Sequence, residues 1–129
     1  MTVETREFAN ATTGKKEYGV VIEVNEGGRL ERKDRAYIDY DEIDALLKGI
    51  DYIVKVDKSV TTFDSFQADY RTKGEMTLST FSSDGTVKAA VSTSRIGGAD
   101  LIIEIAGLQR LRVLISESKV KIDMTRGTT

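Results

Sequence analysis

The sequence lacks four residue types altogether: it contains no cysteine, histidine, tryptophan or proline. Without cysteine and histidine, the chain has no thiolate nucleophile, no imidazole base, no disulfide and no zinc site built from those residues. Without proline, its turns must be made by glycine, asparagine, aspartate and serine. Scattered Asp, Glu, Lys and Tyr side chains are what is left for acid–base chemistry, so we predict neither a catalytic site nor a cofactor.

The sequence also has no long apolar run and no strong excess of charge. No stretch approaches the roughly 18 apolar residues that a membrane-spanning helix needs, and the N-terminal residues lack the pattern of a signal peptide. The formal net charge is −2 over 129 residues, which points to neither a nucleic-acid partner nor a membrane surface. We expect a cytoplasmic protein, although an exported protein whose signal had been removed would have the same features.

The composition is that of a folded domain. Hydrophobic residues make up 40% of the chain and charged residues 31%, a balance typical of water-soluble globular proteins. Regular patterns extend over residues 17–124 and predict a single α+β domain there. Residues 1–16 are polar and weakly patterned, which predicts a flexible or weakly ordered segment, with a short strand near residues 5–8 as the alternative. Residues 125–129 are predicted to form a frayed tail.

Alternation of apolar and polar residues predicts six strands. The Asp84-Gly85 pair predicts a tight type I′ hairpin turn, in which both central residues need positive φ. Short connections between the last four strands predict antiparallel pairing. The strands are predicted at 20–25, 29–39, 66–71, 76–81, 87–91 and 101–105, and the last of them is apolar enough for the centre of a sheet.

Apolar residues recur every three or four positions in two further segments, which predicts amphipathic helices at 40–57 and 108–123. Asp39 is predicted to cap the first helix. Glu42 completes a capping-box-like pair with it, and Asp41 suits the positive end of the helix dipole.

The predicted order of elements is ββα-ββββα. Each helix has one apolar stripe, and an antiparallel sheet commonly has one apolar face. We therefore expect one antiparallel sheet of about six strands with both helices packed on a single face. Gly49 inside the first helix costs about 1 kcal/mol relative to alanine, which indicates a close approach to a neighbouring element.

Three aspartates at the strand–helix junction, Asp39, Asp41 and Asp44, are the candidate metal ligands, because Mg²⁺ and Ca²⁺ prefer oxygen ligands. Their spacing does not match an EF-hand loop, which needs a glycine at its sixth position. Capping and the helix dipole account for Asp39 and Asp41 without a metal. We prefer that interpretation and keep a metal site as the alternative.

The adjacent Tyr70 and Arg71 are the candidate nucleic-acid contacts, since a ring beside an arginine can stack on a base and contact a phosphate. The order of elements over 66–123, four antiparallel strands and then a helix, is similar to that of the PUR-repeat and whirly-type single-strand-binding proteins. That resemblance implies binding through the sheet face. The alternative, which the acidic composition favours, is that Tyr70 faces the core and Arg71 is solvated.

The two predicted helices carry opposite charge. Residues 40–57 contain five acidic residues and two lysines, whereas residues 107–123 contain four basic residues and two acidic ones. Such helices attract each other within one molecule, and they also complement each other between two copies.

These features favour a non-catalytic binding or assembly module that self-associates as a homodimer through a sheet face or edge. Two alternatives stay open: single-stranded nucleic-acid binding through the sheet face, and a small-ligand binder or carboxylate-only enzyme with a pocket between sheet and helices. An unidentified protein partner is compatible with the first interpretation.

Overall fold

The computed structural model describes residues 1–27, 32–56, 61–93 and 99–127, which form two antiparallel sheets and two helices. The first sheet has three strands in the order β1-β2-β3, and the second has four strands in the order β4-β5-β6-β7. The elements are β1 (Thr2–Ala9), β2 (Lys16–Glu26), β3 (Arg32–Asp39), α1 (Tyr40–Val54), β4 (Gln67–Arg71), β5 (Thr77–Ser83), β6 (Thr86–Ser92), β7 (Asp100–Glu104) and α2 (Ile105–Gly127).

The α+β class and the antiparallel pairing are confirmed, but the single six-stranded sheet is wrong. The strands fall into two sheets, and the order is βββα-ββββα because a strand precedes the first predicted one. The two sheets meet where the end of β2 approaches β7, and there the Asp100 N–H donates to Glu26 Oε2 at 3.4 Å. The limits of 17–124 for the domain stay a prediction.

The additional strand, β1, lies in the segment predicted to be weakly ordered. It pairs with β2 over its whole length, from Thr2 opposite Glu23 to Ala9 opposite Lys16. The intervening turn is closed by Asn10, whose side-chain oxygen accepts the N–H groups of Thr12 at 2.9 Å and Thr13 at 3.1 Å. Pairing and turn together order a strand that has few apolar residues of its own.

Each helix packs against strands of both sheets. Helix α1 contacts β2 and β3 of the first sheet and β4 and β5 of the second, while α2 contacts β1 and β2 as well as β6 and β7. The buried apolar residues of both sheets and both helices form one continuous cluster. Its largest fully buried side chains are Ile22, Ile38, Ile43, Leu46, Ile50, Ile53, Met76, Leu78, Leu108, Leu111, Ile115 and Ile122.

The start of α1 differs from the predicted capping box. Asp39 occupies the N-cap position with extended backbone, but its side chain makes no capping hydrogen bond. Glu42 is buried and accepts the Lys73 N–H at 2.8 Å instead of reaching back to Asp39. Glu42 therefore joins the helix to the turn after β4, a contact between residues that are distant in the sequence.

The predicted turn at Asp84-Gly85 is confirmed, since both residues have positive φ, 48° and 80°. The prediction that the last strand lies at the centre of its sheet is wrong. Strand β7 lies at the edge of its sheet, where Ile102 is 67% exposed. Helix α2 begins three residues before the predicted start at 108 and continues past 123. Of the predicted positions, 29–31, Asp57 and the last two residues of the tail lie outside the described residues.

Gly49 is the point of closest approach between α1 and the second sheet. A Cβ added at this position would overlap the Cγ and Cδ2 atoms of the Tyr70 ring on β4. The ring is attached close to the backbone, so it has little freedom to move aside. The expectation that Gly49 marks a close approach is confirmed.

We expect the Gly49→Ala substitution to lower the free energy of unfolding by about 1–2 kcal/mol. The overlap of the added methyl with the Tyr70 ring should cost about 2–3 kcal/mol, the upper part of the range for overpacking, and the gain in helix propensity offsets about 1 kcal/mol of it. Urea denaturation followed by circular dichroism measures it. Gly27→Ala is the control, since a Cβ there meets nothing within 4 Å; a Gly49→Ala protein as stable as the parent would contradict the packing.

Candidate functional site

The opposite charges of the two helices meet within the molecule. Arg112 on α2 makes two hydrogen bonds with the carboxylate of Asp51 on α1, at 2.5 and 2.9 Å. About two turns further along α2, Lys119 lies 3.4 Å from Asp44, and this carboxylate raises the pKa of the lysine. The charge complementarity predicted between the helices is therefore used inside one chain.

Tyr40, the first residue of α1, lies beside the C-terminal end of α2. Its hydroxyl donates to Asp123 Oδ1 at 2.5 Å, and the Arg126 guanidinium lies 4.4 Å from the centre of its ring. The hydrogen bond to Asp123 raises the pKa of Tyr40 above its ordinary value. Tyr40 thus joins the start of one helix to the end of the other.

A polar cleft of about 340 Å³ opens beside Tyr40, between the β1–β2 turn and the two helix ends. Lys15, Lys16 and Arg126 supply positive charge along its wall, and Glu17, Asp39 and Asp41 supply an equal number of negative charges. The phenol of Tyr18 also lines the cleft, and its hydrogen bond with Glu7 raises its pKa. A lining with balanced charge favours neither anions nor cations.

The three candidate metal ligands are placed by the structure at different positions around the start of α1. Asp39 is the N-cap and Asp41 lies in the first turn, where both face the polar cleft. Asp44 instead pairs with Lys119. Over the parts of the chain that the structure describes, no three acidic side chains are grouped so that they could hold a metal ion.

Tyr70 and Arg71, the candidate nucleic-acid contacts, point in different directions. Tyr70 is half-buried against the core and the backbone of Gly49, and burial raises its pKa. Arg71 is exposed and lies 3.9 Å from Glu75. The structure does not bring the two together on one surface.

The outer face of α2 is a feature that the sequence analysis missed. The core-facing side of the helix buries Leu108, Leu111, Ile115 and Ile122. On the opposite side, Val113, Val120 and Met124 are 47%, 55% and 68% exposed, and Ala106 is exposed in line with them. We call these four residues the apolar stripe of α2. Ala106, Val113 and Val120 recur every seven residues, and that spacing is the sequence signal for a second helix face.

Arg110 and Glu117 flank the apolar stripe on the side away from α1, and the exposed Lys121 follows Glu117 by one turn on the same side. Arg110 and Glu117 are exposed, and neither side chain has an ion pair or hydrogen bond with any residue in the described ranges. They differ in this from Arg112 and Lys119, which are held by α1.

Comparison with models of protein families, with curated proteins and with solved structures found no match to this chain. In the described residues, neither helix combines the length and the apolar character that crossing a membrane requires.

The pair of Asp51 and Arg112 should contribute a measurable coupling energy. Both side chains are partly exposed, 42% and 35%, so we expect about 0.5–1 kcal/mol from a double-mutant cycle of Asp51→Asn and Arg112→Gln, falling in high salt. The matched comparison is Lys88 and Glu104, an exposed pair 3.8 Å apart, for which the same cycle should give almost nothing. Equal coupling in the two cycles would contradict a special role for the pair between the helices.

The raised pKa of Tyr40 gives a prediction about pH. The hydrogen bond to Asp123 is intact below the ordinary phenol pKa of about 10 and is lost as the pH rises through the raised value. In Asp123→Ala, the ¹³Cζ titration midpoint of Tyr40 in NMR should fall toward the ordinary value. Tyr70, whose pKa is raised by burial, should keep its midpoint, and an unchanged Tyr40 midpoint would disprove the assignment.

Proposed function

We propose that this protein is a non-catalytic binding or assembly module that associates with itself through the outer face of α2. The observation that carries the proposal is the apolar stripe of α2. Single exposed apolar residues are common on protein surfaces and need no explanation. Here, however, Val113, Val120 and Met124 align on one side of a helix whose other side is already in the core.

The proposed interaction surface is the outer face of α2, whereas the sequence favoured a sheet face or edge. The charge complementarity between the helices, which first favoured association, is satisfied inside the chain by Asp51 with Arg112 and Asp44 with Lys119. The residues of the apolar stripe, in contrast, stay exposed to solvent. A helix that is apolar on two opposite faces buries one in its own core and leaves the other for an additional contact.

The polar cleft beside Tyr40 is a weaker candidate for a binding site than the apolar stripe of α2. Small-molecule sites are mostly apolar concave surfaces with a few polar groups, whereas this cleft is open, polar and lined by equal numbers of opposite charges. A ligand bound there would have to displace water from several charged groups.

The test is the association state of the purified protein, measured by native mass spectrometry and by sedimentation over a range of concentrations. We expect a dimer for the parent and a large shift toward monomer for the triple variant Val113→Ser, Val120→Ser, Met124→Ser. Tyr52→Ser and Phe63→Ser are the controls, since these residues are exposed to 67% and 73% and lie outside α2. A parent that is monomeric throughout, or a dimer unaffected by the triple variant, would disprove the proposal.

A further inference from the structure

The apolar stripe of α2 has a charge pattern that repeats itself when the helix is reversed. Arg110 lies three residues before Val113, and Glu117 lies four residues after it. In an α-helix, residues at these spacings fall on neighbouring turns of one side. Reversing the direction of the helix about a point close to Val113 therefore exchanges the position of the arginine with that of the glutamate.

Two-fold symmetry makes such a pattern self-complementary. In a symmetric dimer, the same surface of each copy meets the same surface of the other. When two helices pair antiparallel about a two-fold axis perpendicular to them, the same flank of each helix also faces its counterpart. The flank that carries Arg110 and Glu117 would then lie along the same flank of the second copy, running in the opposite direction.

We propose that two copies of this chain pair antiparallel along the apolar stripes of their α2 helices, with Arg110 of each copy opposite Glu117 of the other. This inference rests on the proposed function and adds the partner, the direction and the residues that fix the register. Near the axis, Val113 meets Val113 of the other copy. Further out, Val120 lies against Ala106 of the other copy, a large side chain against a small one.

Arg110 and Glu117 determine the direction and the register of this pairing. The apolar residues alone would tolerate sliding of one helix along the other, or a parallel arrangement, because they recur every seven residues. In a parallel two-fold pair, the flank that carries Arg110 and Glu117 would face the opposite flank of the second copy, so these two residues would not meet each other. The antiparallel pair places Arg110 of each copy beside Glu117 of the other, which is attractive.

Charge reversal of one residue at a time tests this register. Arg110→Glu makes a chain that is acidic at both positions, and Glu117→Arg makes a chain that is basic at both. Each variant should form homodimers at least tenfold more weakly than the parent at low ionic strength. A one-to-one mixture of the two should recover dimers, and these should contain one chain of each kind, as seen by native mass spectrometry with one variant labelled with ¹⁵N.

Two further variants separate this effect from a general effect of charge. The double variant Arg110→Glu, Glu117→Arg keeps the net charge of the parent and exchanges the two ends of the pattern, so it should dimerise like the parent. Lys48→Glu changes an exposed lysine on α1 by the same amount as Arg110→Glu and should leave dimerisation unchanged. Circular dichroism of each variant confirms that it is folded.

The failure of the register and the failure of the proposed function give different results. In one outcome, the serine substitutions in the stripe weaken the parent dimer while the mixture of charge variants fails to recover dimers. That result would disprove the antiparallel register and would still support the α2 surface as the interface. If the parent is monomeric and the serine substitutions have no effect, both proposals fall.

Discussion

The fold depends on an exchange between the two halves of the chain, in which each helix helps to cover the sheet of the other half. Helix α1 follows the first sheet but packs also against β4 and β5, and α2 follows the second sheet but packs also against β1. Two hydrogen bonds join α1 to the second half of the chain: Glu42 accepts the Lys73 N–H, and Thr80 donates to the carbonyl of Ile53 at 2.7 Å in the buried interior. Each half therefore buries part of its apolar surface against the other.

The same exchange decides which charges stay available at the surface. Because the helices lie side by side, the acidic residues of α1 meet the basic residues of α2, as Asp51 and Arg112 show. The side of α2 that faces α1 is thereby neutralised. Arg110 and Glu117 lie on the other flank, beyond the reach of α1, and so the outer face of the helix keeps an ordered pair of opposite charges beside its apolar stripe.

The parts of the fold that depend on neighbouring residues could be predicted from the sequence. The alternation around Val20 and Ile22 indicates β2, and Asp84-Gly85 indicates a hairpin turn whose geometry the structure confirms. Gly49 indicates a tight contact because a glycine inside a helix has a cost that packing must justify. In these cases the physical cause lies within a few residues of the signal.

The parts that depend on distant residues could not be predicted in the same way. Strand β1 is ordered by its pairing with β2 and not by its own apolar residues, and Glu42 resembles a capping residue until Lys73 is placed beside it. The division into two sheets is likewise decided by which strand edges meet. The second face of α2 was within reach of sequence analysis, since Val113 and Val120 are seven residues apart, but the strong core-facing pattern obscured it.

The packing of α2 on β1 also has a consequence for folding on the ribosome. Strand β1 packs against α2, so it cannot complete its side of the core until α2, which is synthesised later, has left the ribosome. Contacts between such distant segments slow folding, because a long loop has to close before they are made. Until α2 emerges, the apolar residues of the first sheet stay accessible to chaperones and to other nascent chains.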